Sequence, residues 1–243
     1  MQRSVITEGS DILSDDSDLA LSWKPIQLVN RMDTLAKTVQ TTRSETPTSN
    51  TRLLNKLDRW FHDIKYIQDS LQRIEDEIIP MLQDVLKVKF QNDELVLVAM
   101  FQPSTKNLFL ELKTQYRRRS DDPLGQDGFA EMINLSEMAM VLALVGDAVI
   151  SSAVIQHLWE PHLGDAGKIS QKKAEIVSNE HMAKLCDKWN LYEYRIHFDP
   201  GTPSKSEIEH DKGTLLEAIY GIIYIEHKYE KILKLVTHLI NTR

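Results

Sequence analysis

Cysteine is nearly absent: Cys186 is the only one in 243 residues. A lone thiol closes no internal disulfide and builds no multi-cysteine zinc site, and it fits a reducing, cytoplasmic setting. Its simplest role is that of a small buried hydrophobe. Glycine and proline are scarce, at 9 and 8 residues, and stretches of alternating β-branched residues are few, which points to an all-α protein. Positive charge is short as well, with 29 Lys and Arg against 36 Asp and Glu, a net charge of −7. The chain as a whole is therefore not an electrostatic nucleic-acid binder. Any phosphate-bearing partner has to meet a local basic patch or a bound cation. The start carries no basic segment followed by an apolar run, and no stretch reads as long enough to span a bilayer, so no membrane partner is expected.

What the chain does have is a run of apolar residues at 138–150, read as a helix inside a domain because it is apolar on nearly every side. Asp147 stands in that run beside Gly146. A lone buried carboxylate costs several kcal/mol unless it is paired or binds a metal, and a glycine there lets a backbone or ligand come close. The plain alternative is a core acid satisfied by a neighbouring helix.

Residues 1–50 are weakly patterned and polar and read as a mobile arm, with a short amphipathic helix over 25–39 as an option. Residues 51–89 carry Leu57, Trp60, Ile64, Ile67, Leu71, Ile74, Ile78, Met81, Val85 and Val88 at spacings of three and four. That is a heptad seam, either packed on its own domain or paired in a coiled coil, with Pro80 expected to kink or end it. Asn92 or Asp93 caps a short helix that Pro103 closes. Arg117, Arg118 and Arg119 form the densest basic cluster, either a solvated helix end or a phosphate contact. From residue 135 helix follows helix. Residues 168–189 are one helix or two, with Lys168 and Lys172 among their basic residues. Residues 197–211 read as a loop, and the last helix covers 214–240, with Thr214 near its start. It repeats the earlier pattern: Glu217 lies in an apolar run with Gly221 nearby.

Two acids from two apolar helices invite a common explanation. They can converge on a divalent cation, and Mg²⁺ characteristically uses one or two carboxylates and keeps several waters for substrate phosphate. Separate pairing of each acid with a nearby Lys, Tyr or backbone group is the competing reading.

The runs at 144–150, 167–185 and 216–224, with a diverged Ala99-Met100-Phe101-Gln102-Pro103-Ser104 before them, resemble the ribonuclease III family in order and separation. The resemblance covers about residues 90–239 and implies an all-helical endonuclease domain at 90–243, preceded here by the arm at 1–50 and the heptad segment at 51–89. It implies a cytoplasmic homodimer that uses Mg²⁺ or Mn²⁺ to hydrolyse double-stranded or structured RNA in RNA processing, ribosomal RNA maturation included. Asp147 and Glu217 match two of the family's metal-site carboxylates, the implied catalytic residues. Arg117, Arg118, Arg119, Lys168 and Lys172 are the candidate RNA contacts. Two further acids of the family are Ala143 and Thr214 here. In that the chain resembles the short form, Mini-ribonuclease III, which also lacks a separate RNA-binding domain. The alternative is a catalytically degenerate relative that serves as an RNA-binding or ribonucleoprotein scaffold dimer.

Overall fold

A computed structural model describes residues 21, 23–117, 122–125, 127–159, 165–198 and 201–241. Among these the chain is helical, and its only extended pairing is a single parallel bridge between Phe101 and Ile196. The helices are α1 (Leu28–Glu45), α2 (Thr51–Arg73), α3 (Ile79–Leu86), α4 (Asp93–Ala99), α5 (Lys106–Tyr116), α6 (Gly128–Ile133), α7 (Leu135–Leu158), α8 (Ala166–Ile176), α9 (Asn179–Lys188) and α10 (Lys205–Ile240). One apolar core runs through them from α1 to α10.

Residues 28–45, expected within a mobile arm, are α1. Leu28, Met32, Leu35, Ala36 and Val39 recur at helical spacing and all are buried. Residues 41–50, also within the expected arm, supply the end of α1 and the tight turn into α2, where the Asn50 side chain accepts from the Leu53 N–H. Residues 1–20 lie outside the described residues. The entry into α1 has no cap of its own, since Gln27 is left-handed (φ 58°) and makes no side-chain cap bond. Glu94 of α4 does that work from a distance. Its carboxylate accepts from the N–H groups of Leu28 (2.6 Å) and Ile26 (2.8 Å) and from the Trp23 indole (3.3 Å). Charge-assisted bonds of this kind are among the stronger ones. Glu94→Ala is expected to cost about 2 kcal/mol, read from the denaturation midpoint, with faster proteolysis around residues 23–28.

The heptad seam is spent inside the chain. Leu57, Trp60, Ile64, Ile67, Leu71, Ile74 and Ile78 are each at most 3% exposed. Pro80 does not end the helix. Proline lacks an N–H and its ring crowds the carbonyl four residues back. The backbone answers by widening to a π-turn over Ile74–Ile78, in which the Ile79 N–H reaches the Ile74 carbonyl, and helix resumes through Leu86. After α4 the chain leaves helix at Met100, before Pro103, to make the bridge to Ile196.

The last helix also differs from its expected form. It begins at Lys205, with Ser204 and Glu207 forming a capping box, so Thr214 lies well inside it. It breaks at Lys228 (φ 66°, ψ 178°). The Tyr220 hydroxyl donates to the Leu235 carbonyl at 3.2 Å, although 15 residues of straight helix would span roughly 22 Å. The chain therefore turns back on itself at Lys228. Residues 168–189 are two helices, α8 and α9, parted where Ser178 caps α9.

The stretch at 138–150 is not wholly interior. α7 buries Leu135, Ala139, Leu142, Ala143, Gly146, Ile150, Ala153 and Val154, but Met140, Val141 and Leu144 are 48%, 60% and 69% exposed. By length and composition alone Leu135–Leu158 could cross a membrane, which corrects the reading that no stretch is long enough. In this fold it is the central helix, packed on α10 along much of its length and on α4.

Candidate active site at the crossing of α7 and α10

The site is made by two glycines. A methyl group added at Gly146 would lie 1.8 Å from the backbone oxygen of Glu217, and one added at Gly221 would lie 2.1 Å from that of Leu142. The contact is reciprocal: each glycine meets the carbonyl four residues before the other. Only glycine lets two helix backbones approach so closely, and Cα–H groups then face carbonyl oxygens. Asp147 follows Gly146 directly, and Glu217 is the residue whose carbonyl Gly146 touches. The crossing thus brings the two acids of the sequence reading together.

Their burial differs from expectation. Asp147 is exposed and Glu217 half-buried. Asp147 has the hydroxyl of Ser151 at 3.5 Å, one turn on along α7. Among the described residues no Lys, Arg or His forms an ion pair with either acid, which removes separate basic pairing as an account of them. Burial pushes the Glu217 carboxyl up from its ordinary 4.5, and the charge of Asp147 pushes it further, to about 7. Two carboxylates that repel each other with no cation from the protein fit a hard divalent ion that keeps most of its waters. The described residues hold no cluster of three or more His, Cys, Asp or Glu that would make a full protein cage.

A raised carboxyl pKa is a statement about stability. The folded chain binds a proton at Glu217 that the unfolded chain has already released. The favourable contribution is therefore complete below pH 4.5 and is lost as pH rises through about 7. Glutamine mimics the protonated acid. In metal-free buffer at pH 8, Glu217→Gln is expected to be more stable than wild type by about 1–2 kcal/mol, after allowance for solvent at the half-open site. The gap should close toward pH 4, and parallel melting curves across that range would contradict it.

Around the acids, Asn179 at the start of α9 sits over Gly213, where an added methyl would meet its Oδ1 at 3.0 Å. Its amide nitrogen lies 3.5 Å from His210 Nδ1. His210, Gly213, Thr214 and Glu217 share one face of α10 at spacings of three, one and three. Thr214 and His210 also line a cleft of about 220 Å³ with Ser136, Ala139, Met140 and Gln102. Ser151 and His210 escaped the sequence reading, although helical spacing from Asp147 and Glu217 was the available signal. Ala143 is buried, and Thr214 forms part of the cleft wall. Neither brings a carboxylate to the site. Glu137 pairs with Lys106 at 3.8 Å on the surface.

The basic candidates are not gathered at the acids. Lys168 and Lys172 are exposed on α8, and Lys168 is 3.3 Å from Asp165. Arg117 is exposed at the far end of α5, where the Tyr116 hydroxyl meets Thr42 Oγ1 at 3.1 Å. Arg118 and Arg119 lie outside the described residues. Cys186 is fully buried, and burial pushes its thiol up to about 12, in keeping with a packing role.

A sequence model of the Ribonuclease III domain matches residues 140–228, which take in Gly146, Asp147, α8, α9, Glu217 and Gly221. A Ribonuclease 3 of Zunongwangia profunda is 30% identical over 96 residues, 37% of this chain and 36% of that protein. A Ribonuclease 3 of Flavobacterium psychrophilum is 29% identical over 89 residues, 36% of this chain and 35% of that protein. The Ribonuclease 3 of Mus musculus is 31% identical over 112 residues, 44% of this chain and 8% of that protein. The chain thus spans about a third of the length of the bacterial relatives it matches and less than a tenth of the mouse protein. Residues 140–228, which hold both acids and both crossing glycines, are thus similar in sequence to the ribonuclease III domain, and the all-helical fold agrees with that likeness.

Proposed function

We propose that the chain is a divalent-metal-dependent endoribonuclease that cuts double-stranded or structured RNA and works as a homodimer. The observation that carries this reading is the pair Asp147 and Glu217, set side by side by a glycine crossing and left without a basic partner, inside the matched segment. Asp147 and Glu217 would hold Mg²⁺ or Mn²⁺, which supplies an activated water and neutralises charge on the scissile phosphate when bound.

The chain's own groups do the rest. Asp147 is the exposed member, open to substrate, and the Ser151 hydroxyl steadies it. Glu217, half-buried, keeps a proton near neutrality until a cation takes its place. Lys168 and Lys172 on α8 and Arg117, Arg118 and Arg119 after α5 are the candidate backbone contacts. Such contacts read the shape of an RNA helix rather than its sequence.

Support for a second copy comes from Met140, Val141 and Leu144, large apolar side chains clustered on the open side of α7. Leu144→Glu is expected to halve the mass measured in solution, and an unchanged mass would remove α7 from the interface.

The test of the activity is incubation with a 30-base-pair RNA duplex. Short duplex products in Mg²⁺, none in chelator, and intact single-stranded RNA and duplex DNA are expected. An RNA duplex left whole in both Mg²⁺ and Mn²⁺ removes catalysis. Ala143 and Thr214 favour a second reading, a scaffold that binds duplex without cutting it. A duplex that is retained yet uncut is its signature.

A further inference from the structure

We propose that the tip of the α1–α2 hairpin is a second RNA-backbone contact, made by Arg52, Lys56 and Arg117 at a distance from the acid pair. The inference rests on the reading that this chain acts on duplex RNA.

The apolar seam of α2 is consumed within the chain, so that seam is not a free surface for self-assembly. What the hairpin offers outward is sorted charge. At the tip, Arg43 is tied to Asp58 and Arg59 to Glu111, which neutralises those two acids. Arg52, Lys56 and Arg117 are exposed and form no ion pair among the described residues, and Glu45 is an exposed carboxylate at that end. Further along the same helical rod the sign reverses. Asp69, Glu75 and Asp76 follow within and just after α2, and burial first, then the charges of Asp93 and Asp76, push the Glu75 carboxyl up. In a chain of net charge −7, such a gradient draws a polyanion to one end and repels it from the other.

Packing sets the three cations at one level. Glu111 of α5 receives the Trp60 indole N–H at 2.7 Å and the Arg59 guanidinium. Five residues on, Tyr116 meets Thr42 near the end of α1. α5 therefore runs toward the tip while α2 runs away from it, and Arg117 ends beside the first turns of α2. On α2, Arg52, Lys56 and Arg59 are spaced four and three apart, one stripe of the helix.

The tip and the acids lie at the two ends of a path through α5 and α7. α5 covers 11 residues, roughly 16 Å. Its other end touches the start of α7 through Lys106 and Glu137, and Asp147 lies a further ten residues on, roughly 15 Å. The path between the two places is therefore at most about 30 Å. A duplex longer than this path can meet both places at once.

The test compares Arg52→Ala/Lys56→Ala with its parent, both full-length and both carrying Asp147→Asn so that the probe survives. The probes are RNA duplexes of 30 and 8 base pairs. The double substitution is expected to weaken binding of the 30-base-pair duplex at least five-fold. It should also reduce the slope of log affinity against log salt by about 2, weaken the 8-base-pair duplex less than the long one and leave the melting temperature unchanged. Arg52→Lys/Lys56→Arg should bind like the parent. Equal affinity and slope for parent and double variant on the long duplex overturn the proposal, and direct the tip toward an acidic protein instead. If the parent itself binds neither duplex, the functional reading falls along with it.

Discussion

Asp147→Asn is expected to lower the rate of RNA-duplex cleavage about 10³-fold or more, roughly 4 kcal/mol of lost transition-state stabilisation. The substitution keeps the shape of the side chain and removes its charge. Asp147 is exposed and has only the Ser151 hydroxyl at 3.5 Å, so little of the fold depends on it. The variant should therefore fold normally. It should melt slightly higher in metal-free buffer near neutral pH, because the charge that helps to raise Glu217 is gone. Loss of activity with intact or improved stability separates a catalytic defect from an unfolded chain. A variant that cuts RNA as fast as wild type would remove Asp147 from the chemistry.

Gly146→Ala is expected to cost more than about 3 kcal/mol, which in a chain of this size lowers the melting temperature by roughly 6–12 °C. The added methyl would sit 1.8 Å from the Glu217 carbonyl oxygen, and a helix backbone cannot swing aside as a flexible side chain can. The helices have to part, and with them the contacts of Leu142, Ile150, Leu216, Ile219 and Tyr220, all buried. Gly221→Ala should behave alike, since its methyl would meet the Leu142 oxygen at 2.1 Å. Gly201→Ala is the control, because nothing lies within 4 Å of its added carbon. Cleavage should fall with Gly146→Ala even in the folded fraction, as Asp147 and Glu217 lose their register.

Much of this site was legible in the residues. An acid beside or near a glycine in an apolar helix, found twice, is a local pattern, and a crossing of two helices is its direct consequence. How far each acid is buried was not legible. The apolar residues of 138–150 encircle the helix, and composition alone does not say which side the chain's own core covers. Met140, Val141 and Leu144 stand open while Leu142 and Gly146 face α10. The start of α10 was written in the sequence as Ser204 and Glu207, a capping box passed over because Pro200, Gly201 and Pro203 before it read as a longer loop. The reversal at Lys228 had no such mark, since neither glycine nor proline stands there and tertiary contacts such as Tyr220 with Leu235 fix it. The arm was misjudged for a related reason. The helix Leu28–Glu45 owes its first turn to Glu94, 66 residues away from Leu28.

The most direct measurement is the amount of Mn²⁺ held by the full-length chain at pH 7.5, followed by electron paramagnetic resonance. Wild type is compared with Asp147→Asn/Glu217→Gln. Tight binding by wild type that vanishes in the double variant is the predicted result. Equal binding by the two proteins, or none by either, would contradict a cation shared by these carboxylates.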